Sequence, residues 1–325
     1  MPWPRLLSSD GLLPLSSCRG GRRWFYRPLF SCFWRFLHWF VRPSHGRARN
    51  ECDISSHLIE EEKMRKKIVL LTLILIVLLG IVPLAGAITF GQPDGNGHPN
   101  VGAMIVLEPD GVQYLYCTGT LIAPDVFLTA AHCTAAAASY GAAPGDVFVT
   151  FDPVWDENAT LYPGTYYLNP DYGHDNHDLH DVAVIVLDEP VDGIEPAELP
   201  PAGLLDQMKD DKELKGQRFV TVGYGDQRDD KTGGPAALGD YGERYVAEQT
   251  FQALKPYWLQ ISMNPSTGSG GTCYGDSGGP HFLGDTSIIA SITVTGDAWC
   301  RATDVTYRMD TDSARSYLSQ FVDLP

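Results

Sequence analysis

The apolar positions of residues 88–325 fall in short runs that are separated by turn-forming residues. The runs are rich in β-branched and aromatic side chains, and Gly, Pro, Asn or Asp lies between them, which is typical of β-strands. The predicted strands are Gly102–Leu107, Val112–Cys117, Val126–Thr129, Val147–Phe151, Val182–Leu187, Arg218–Val222 and Ser287–Thr295. The pattern therefore predicts an all-β fold, either a barrel or a sandwich.

The clearest helical pattern is near the C-terminus, where Asp312 is placed to cap a helix. The apolar stripe of this helix is formed by Tyr317, Leu318, Phe321 and Val322. The stretch Asp188–Gly242 is rich in Asp, Pro and Gly, so we expect it to hold a crossover between two halves and several loops, with a strand at Phe219–Tyr224. Ala135–Ala138 predicts only a loop or turn of small residues.

A targeting segment precedes these runs. Met64–Lys67 is basic, Ile68–Val82 is an almost unbroken apolar run, and Ala85–Ala87 supplies the small residues that signal peptidase requires. We therefore expect a signal peptide over 64–87, cleavage before Ile88, and a secreted, extracellular protein. The alternative is a single-pass membrane anchor, for which an apolar stretch of about 18 residues is short.

Residues 1–63 fit neither the signal nor the strand pattern, because they are rich in Arg and Trp and show no clean period. A basic arm that binds a membrane or nucleic acid is one interpretation. A mis-assigned start is another, because Glu60–Lys63 would be encoded by purines alone, as a bacterial ribosome-binding site would be. We expect translation to begin at Met64 in a bacterium, which leaves 88–325 as one compact domain of two similar halves.

The charge becomes strongly negative once this leader is set aside. From Ile88 onward the chain has 11 Lys and Arg against 34 Asp and Glu, a formal net charge of −23, and its first Lys or Arg is Lys209. An acidic surface keeps an exported protein soluble and repels phosphate backbones, so nucleic acid is not an expected partner.

Four cysteines remain after the signal segment: Cys117, Cys133, Cys273 and Cys300. An even number in an exported chain suggests two disulfides. Four cysteines allow three connectivities, and nearness in the sequence favours Cys117–Cys133 with Cys273–Cys300, although spacing alone does not decide. This part of the chain has no CxxC or HxxxH pattern, so we expect no metal site.

A candidate nucleophile lies in Cys273–Pro280, which reads Cys-Tyr-Gly-Asp-Ser-Gly-Gly-Pro. A hydroxyl nucleophile needs an exposed position, a base, and backbone donors for the oxyanion that follows. The glycines beside Ser277 allow a tight, concave backbone in which the N–H groups of Gly275 and Ser277 converge. On its own, such a cluster is as readily an ordinary turn.

Candidates for the base and its orienting acid lie earlier in the chain. His132 follows apolar and small residues, which predict an imidazole at the end of a buried strand, although a lone His beside Cys is more often structural or a metal ligand. Asp181 precedes the apolar run Val182–Leu187, so its carboxylate is expected at the edge of the core, where a hydrogen bond to a His ring is strong. Asp178 is the competing acid, and its polar surroundings predict that it faces solvent.

Together these segments resemble the signature blocks of the trypsin-like serine proteases. The blocks are Thr-Ala-Ala-His-Cys at 129–133, Asp-Val-Ala-Val at 181–184 and Gly-Asp-Ser-Gly-Gly-Pro at 275–280. They follow that family's chain order, His, Asp, Ser, with separations of 49 and 96 residues. The resemblance covers essentially all of 88–325. It implies two six-stranded antiparallel β-barrels of the chymotrypsin type, a C-terminal helix, and the disulfides Cys117–Cys133 and Cys273–Cys300.

The resemblance also implies a catalytic triad that hydrolyses peptide bonds through an acyl-enzyme. In it, Ser277 is the nucleophile, His132 the base, and Asp181 the group that orients the imidazole. The N–H groups of Gly275 and Ser277 then form the oxyanion hole.

Asp276 has a separate implied role, because in this family the buried acid beside the serine pairs with a new N-terminal ammonium group. Ile88-Thr89-Phe90-Gly91 resembles that N-terminus, although the family usually has Val-Gly at 89–90. We therefore expect an ion pair between Ile88 and Asp276, formed when the signal peptide is removed and without a separate pro-segment.

The resemblance places six residues in the specificity pocket: Gly271, Thr272, Tyr274, Thr293, Gly296 and Val305. Gly271 is at the floor, where trypsin-type enzymes carry Asp, and Val305 falls where the family often has Gly. A branched side chain there is expected to narrow the pocket and to favour small or medium apolar side chains. Asp297 and Asp304 lie nearby and would restore a preference for basic side chains if either pointed inward.

Three other functions compete with an active endopeptidase. A catalytically silent relative that serves as a binding module typically lacks a triad residue, whereas all three candidates are present here. An esterase of the α/β-hydrolase type has the opposite chain order. A membrane-tethered protease differs only in whether the bond between Ala87 and Ile88 is cut. We expect a monomeric enzyme that acts on protein or peptide substrates and needs no cofactor, with a membrane as partner only if that bond stays intact.

Overall fold

The computed structural model describes residues 63–72, 90–227 and 241–325. The chain divides into two units, Met1–Val82 and Pro83–Pro325. In the first unit the described part is one helix, α1 (63–72), whose apolar side chains are exposed. Among the described residues, no helix combines the length and apolar character that crossing a membrane requires. The rest of the predicted leader and signal peptide, together with Ile88, lies outside the described residues.

A closed barrel of six antiparallel strands forms the first half of the second unit, after a short strand, β1 (Gln92–Pro93). The barrel strands are β2 (Val101–Leu107), β3 (Gln113–Ala123), β4 (Val126–Thr129), β5 (Val147–Thr150), β6 (Tyr162–Tyr167) and β7 (Ala183–Leu187). They are hydrogen-bonded in the order β2-β3-β4-β7-β6-β5. All of β4 and most of β2 are buried, as their apolar runs predict.

The second half is also a closed antiparallel barrel. Its strands are β8 (Arg218–Gly223), β9 (Tyr245–Leu254), β10 (Trp258–Ser262), β11 (Pro280–Leu283), β12 (Ile289–Gly296) and β13 (Thr303–Arg308). They pair in the order β9-β10-β13-β12-β11-β8, and β8 also pairs with β9, which closes the ring. β1 adds to β9. The fold is therefore mostly β, with two six-stranded barrels, as the resemblance implied.

All seven predicted strands overlap observed ones, but β1, β6, β9, β10, β11 and β13 were not predicted. The second barrel explains most of these omissions, because its interior holds polar side chains. Gln249 on β9, His281 on β11 and Asp304 on β13 are all buried. Since inward positions are not uniformly apolar there, the alternation that marks a strand is weak in the sequence.

In the part of the chain that the structure describes, three α-helices accompany the barrels: α2 (Ala131–Ser139), α3 (Leu204–Asp210) and α4 (Asp312–Leu318). The prediction of a loop at Ala135–Ala138 was wrong, since these alanines lie within α2, and alanine is the strongest helix former. The C-terminal helix is confirmed, but its N-cap is Thr311 rather than Asp312, and the Thr311 hydroxyl accepts a hydrogen bond from the backbone of Ala314. Phe321 and Val322 follow the helix and still pack against the core.

The described residues form two disulfides, Cys117–Cys133 and Cys273–Cys300. The pairing favoured by nearness in the sequence, and implied by the resemblance, is thus confirmed. The first disulfide ties β3 to α2. The second ties the segment before Ser277 to the loop before β13, so each disulfide lies next to a segment that carries candidate chemistry.

One hydrophobic cluster draws side chains from both barrels. It contains Phe127 and Val149 of the first barrel together with Val222, Phe282 and Tyr307 of the second. The two barrels therefore pack directly on each other.

Candidate active site

Pairing of β4 with β7 brings His132 and Asp181 together, because Thr129 lies opposite Ala183. His132 is the second residue of α2 and not the end of a strand as predicted, because β4 already ends at Thr129. Asp181 Oδ2 lies 2.9 Å from His132 Nδ1, and Asp181 Oδ1 accepts the backbone N–H of His132 at 2.9 Å. The Asp181 side chain is 2% exposed and that of His132 is 29% exposed. A buried carboxylate thus fixes the orientation of a partly open imidazole.

Asp178 does not face solvent, which corrects the prediction. It is buried, and its Oδ1 accepts a 2.6 Å hydrogen bond from the Tyr307 hydroxyl and a 3.1 Å bond from the backbone N–H of His180. Since Tyr307 belongs to β13, the bond joins the two barrels. Burial together with the bond to Asp178 raises the pKa of Tyr307. Asp178 therefore has a structural partner, and among the described residues it forms no hydrogen bond with His132.

Ser277 lies in the turn that precedes β11, against β3 and α2. Its carbonyl oxygen accepts the backbone N–H of Thr118 at 2.9 Å and lies 3.8 Å from Cys133 Sγ. In the described residues the Ser277 hydroxyl forms no hydrogen bond with His132. In free enzymes this contact is often loose and tightens when substrate binds.

Gly278 permits this close approach. Its φ is +80°, and a Cβ built on it would lie 2.3 Å from Thr129 Oγ1 and 2.6 Å from the carbonyl oxygen of Thr118. Real side chains do not come so near, so only glycine lets the serine turn lie against the end of β4. The contact holds the serine turn against the end of the strand that leads to His132.

The turn around Ser277 leaves two backbone donors available. Within it, the N–H groups of Asp276, Gly278 and Gly279 are all bonded to carbonyl oxygens. The N–H groups of Gly275 and Ser277 donate to no described residue, and Gly275 has a φ of +97°. Free backbone donors on either side of one residue form a nest that can hold a negatively charged oxygen.

Asp276, between these donors, is fully buried. Its carboxylate accepts the backbone N–H groups of Gly225 and Cys273, each at 2.8 Å. Burial raises the pKa of Asp276 to about 7, against the opposing effect of the two N–H donors. Within the described residues Asp276 forms no ion pair, and its expected partner, Ile88, lies outside them.

A cavity of about 260 Å³ opens beside Ser277. Four of the six predicted pocket residues line it: Thr272, Tyr274, Thr293 and Gly296. The other two, Gly271 and Val305, do not line this cavity. Gly271 packs on the Met263 side chain, and Val305 alternates with the buried Asp304 along β13 and so points the other way. A branched side chain at 305 therefore gives no reason to expect a preference for apolar substrates.

One group of metal-binding side-chain types occurs in the described part of the chain, namely Cys117, His132 and Cys133. Their ligand atoms lie within 4.8 Å of one another, but the two sulfurs are joined in a disulfide. A disulfide has no thiolate to offer a metal ion. Within this group only the imidazole of His132 could therefore bind a metal ion.

Comparisons with known proteins give both a family and a fold. The family model described as Trypsin matches residues 91–313. A trypsin from Saccharopolyspora erythraea is 30% identical over 218 residues, which cover 65% of this chain and 88% of the relative.

The solved structures of HL collagenase and human heparin binding protein each cover 72% of this chain. The matched parts are 97% of the collagenase chain and 96% of the heparin binding protein chain, with TM-scores of 0.54 and 0.53. Their sequence identities are 20% and 17%, so they bear on the fold alone.

Proposed function

Because this chain belongs to the trypsin family of serine proteases, we propose that it is a secreted endopeptidase whose catalytic residues are Ser277, His132 and Asp181. The observation that carries the proposal is the pair of 2.9 Å bonds by which buried Asp181 holds both the ring and the backbone of His132 beside the serine turn. The proposal assigns each of the three residues a distinct part in acyl transfer.

In the proposed mechanism Ser277 Oγ attacks the carbonyl carbon of the scissile peptide bond. His132 Nε2 takes the hydroxyl proton as the new C–O bond forms, and the electron pair of the carbonyl moves onto its oxygen. Asp181 keeps the proton on Nδ1, so Nε2 is free to act as base, and it stabilises the imidazolium that results. His132 then gives the proton to the leaving amine, and water releases the acyl group by the reverse sequence.

The oxyanion of the tetrahedral intermediate is expected to lie against the N–H groups of Gly275 and Ser277. Their lack of other partners in the described residues supports this role, because a donor that is already committed would have to break a bond first. Loss of one such donor typically costs about 3 kcal/mol of transition-state stabilisation.

Activation by a free N-terminus at Ile88 belongs to the same proposal. It is supported by Asp276, a fully buried carboxylate that forms no ion pair in the described residues. An ammonium group that entered this site would compensate the charge and fix the turn that carries both oxyanion donors. Signal-peptide cleavage would create that group directly. Secretion itself is supported by the two disulfides, which persist in oxidising compartments.

Hydrolysis of a protein substrate tests the proposed activity. Purified chain that begins at Ile88 should release peptides from denatured casein, and Ser277→Ala should abolish the release. A silent binding module would leave casein intact whatever residue occupies 277. The comparison of the native chain with Ser277→Ala, which lacks only the hydroxyl oxygen, therefore decides between the protease and the binding module.

A further inference from the structure

The turn that carries Asp181 has an unusual backbone conformation. His180, the residue before it, has a φ of +51°, in the left-handed region that residues other than glycine rarely adopt. The backbone N–H of Val182 donates to the carbonyl oxygen of His180 at 2.9 Å, which closes a three-residue turn centred on Asp181. The conformation of His180 therefore sets the direction in which the Asp181 side chain leaves the main chain.

The Asp181 side chain depends on this turn for its position. Among the described residues, only His132 donates hydrogen bonds to it, one to each carboxylate oxygen. Its partner is thus the same residue that it has to orient. A carboxylate without a further donor is not fixed from its far side, so the backbone turn at His180 has to hold it in place.

Four polar side chains surround this turn, and we call them the His180 network: Asp178, His180, Tyr307 and Ser313. His180 Nδ1 lies 2.8 Å from Ser313 Oγ and 3.8 Å from Asp178 Oδ2. Ser313 Oγ lies 3.1 Å from the Tyr307 hydroxyl, which donates to Asp178 Oδ1. The contacts therefore form a closed circuit. It ties the turn before β7 to β13 and to the C-terminal helix α4.

The protons of the His180 network run in one direction. Tyr307 has one hydroxyl proton and gives it to Asp178, so its oxygen remains as an acceptor for Ser313. Ser313 gives its own proton to Tyr307 and accepts from His180, which places a proton on His180 Nδ1. Each donor in such a chain strengthens the next, and this chain ends on a buried carboxylate. The imidazole of His180 is therefore an anchor for the turn.

The other end of this anchor is rigid. Ser313 lies in the first turn of α4, whose buried residues are Ala314, Tyr317 and Leu318. All three belong to the hydrophobic cluster that both barrels share. The ring of His180 is thus tied to a packed helix, and this tie keeps the backbone of His180 in its unfavourable conformation.

We propose that His180 is a positioning residue of the triad, and that Ser313 holds its ring so that the strained turn aims Asp181 at His132. The inference rests on the proposed protease function and adds a link from the C-terminal helix to the triad. His180 acts through Asp181 and not on the reacting atoms. The sequence pattern does not mark this residue, because its anchor lies 133 positions away.

Steady-state hydrolysis of a peptide amide, normalised to folded enzyme, provides the first test. His180→Ala should lower kcat by at least about tenfold, because a small misplacement of a catalytic group is costly. KM should stay within about twofold, since substrate does not contact the His180 network in this account. His177→Ala removes an exposed histidine from the same stretch and is the matched control, which should change neither constant.

A conservative variant separates positioning from mere support of the fold. Asn tolerates positive φ, and its amide nitrogen stands at the same place along the side chain as Nδ1 of His. His180→Asn should therefore recover most of the kcat that His180→Ala loses. If His180→Ala fails to fold, Ser313→Ala removes the anchor instead and should lower kcat in the same way. A loss confined to KM, an equal loss from His177→Ala, or equal kcat for Ala and Asn at 180 would each overturn the inference.

Proton NMR of Ser277→Ala distinguishes a failure of this inference from a failure of the proposed function. The Nδ1–H of His132 should give a low-field signal while it is bonded to Asp181. Adding His180→Ala should shift or abolish this signal, and adding His177→Ala should leave it unchanged. If the native chain cleaves nothing but the signal depends on residue 180, the positioning role stands and the protease proposal fails. If peptides are cleaved and neither kcat nor the signal responds to His180→Ala, the positioning role alone is wrong.

Discussion

The carboxylate of Asp181 accepts two hydrogen bonds from His132, one from ring Nδ1 and one from the backbone N–H, each at 2.9 Å. Both oxygens of the acid are therefore occupied by one residue, so ring and main chain are held as a unit. This double contact depends on the pairing of β4 with β7, which brings together residues 49 positions apart.

Asp181→Asn is expected to lower kcat by about 10⁴-fold, because an amide at this position favours the wrong tautomer of the imidazole. The measurement is peptide hydrolysis, normalised to the concentration of folded enzyme. Asp178→Asn is the matched control, since it alters a neighbouring buried acid that bonds Tyr307 instead. A larger loss of kcat from Asp178→Asn than from Asp181→Asn would reverse the roles assigned to the two acids.

Gly278→Ala is expected to destabilise the fold by at least about 3 kcal/mol, because the new Cβ would overlap Thr129 Oγ1 and the backbone would be held at positive φ. Urea unfolding measures this free energy. Gly145→Ala is the control, since a Cβ there meets nothing within 4 Å, and its effect should stay below about 1 kcal/mol. Equal stabilities for the two variants would mean that the serine turn does not lie against β4 as described.

Asp276 predicts a pH dependence that changes on activation. Its folded-state pKa of about 7 lies above the ordinary value of 3.8, so folding favours the protonated form. The stabilisation is fully present below about pH 4 and is lost as the pH rises to about 7. A chain that retains residues before Ile88 should therefore lose unfolding free energy between pH 4 and 7 through this group.

A chain that begins at Ile88 should lose less over the same interval, since an ammonium partner would lower the pKa of Asp276. Urea unfolding at pH 4 and pH 7 compares the two forms, and Asp276→Asn should remove the difference between them. Identical pH profiles for both native forms would count against the Ile88–Asp276 ion pair.

Local sequence predicted the first barrel better than the second. Strands such as β2 and β4 bury nearly every residue, so their apolar runs are visible in the sequence. In the second barrel Gln249, His281 and Asp304 point inward, and their burial depends on partners from distant strands. No local pattern reports such partners.

The candidate site shows the same division. The three signature blocks indicated Ser277, His132 and Asp181 because each block is short and ordered along the chain. The residues of the pocket were harder to predict from the sequence. A shift of one residue in the pairing of β13 would decide whether Asp304 or Val305 points inward. That register is set by pairing with β10 and β12, with a bulge in β12 between Thr293 and Thr295, and spacing in the sequence does not reveal it.

The most direct test of the central claim is the intact mass of the secreted protein after treatment with a serine-directed fluorophosphonate. We predict the addition of one label, located on Ser277 by peptide mapping and lost in His132→Ala. A folded protein that begins at Ile88, with both disulfides formed, and that takes up no label would contradict the account, because its serine would then not be activated by the imidazole.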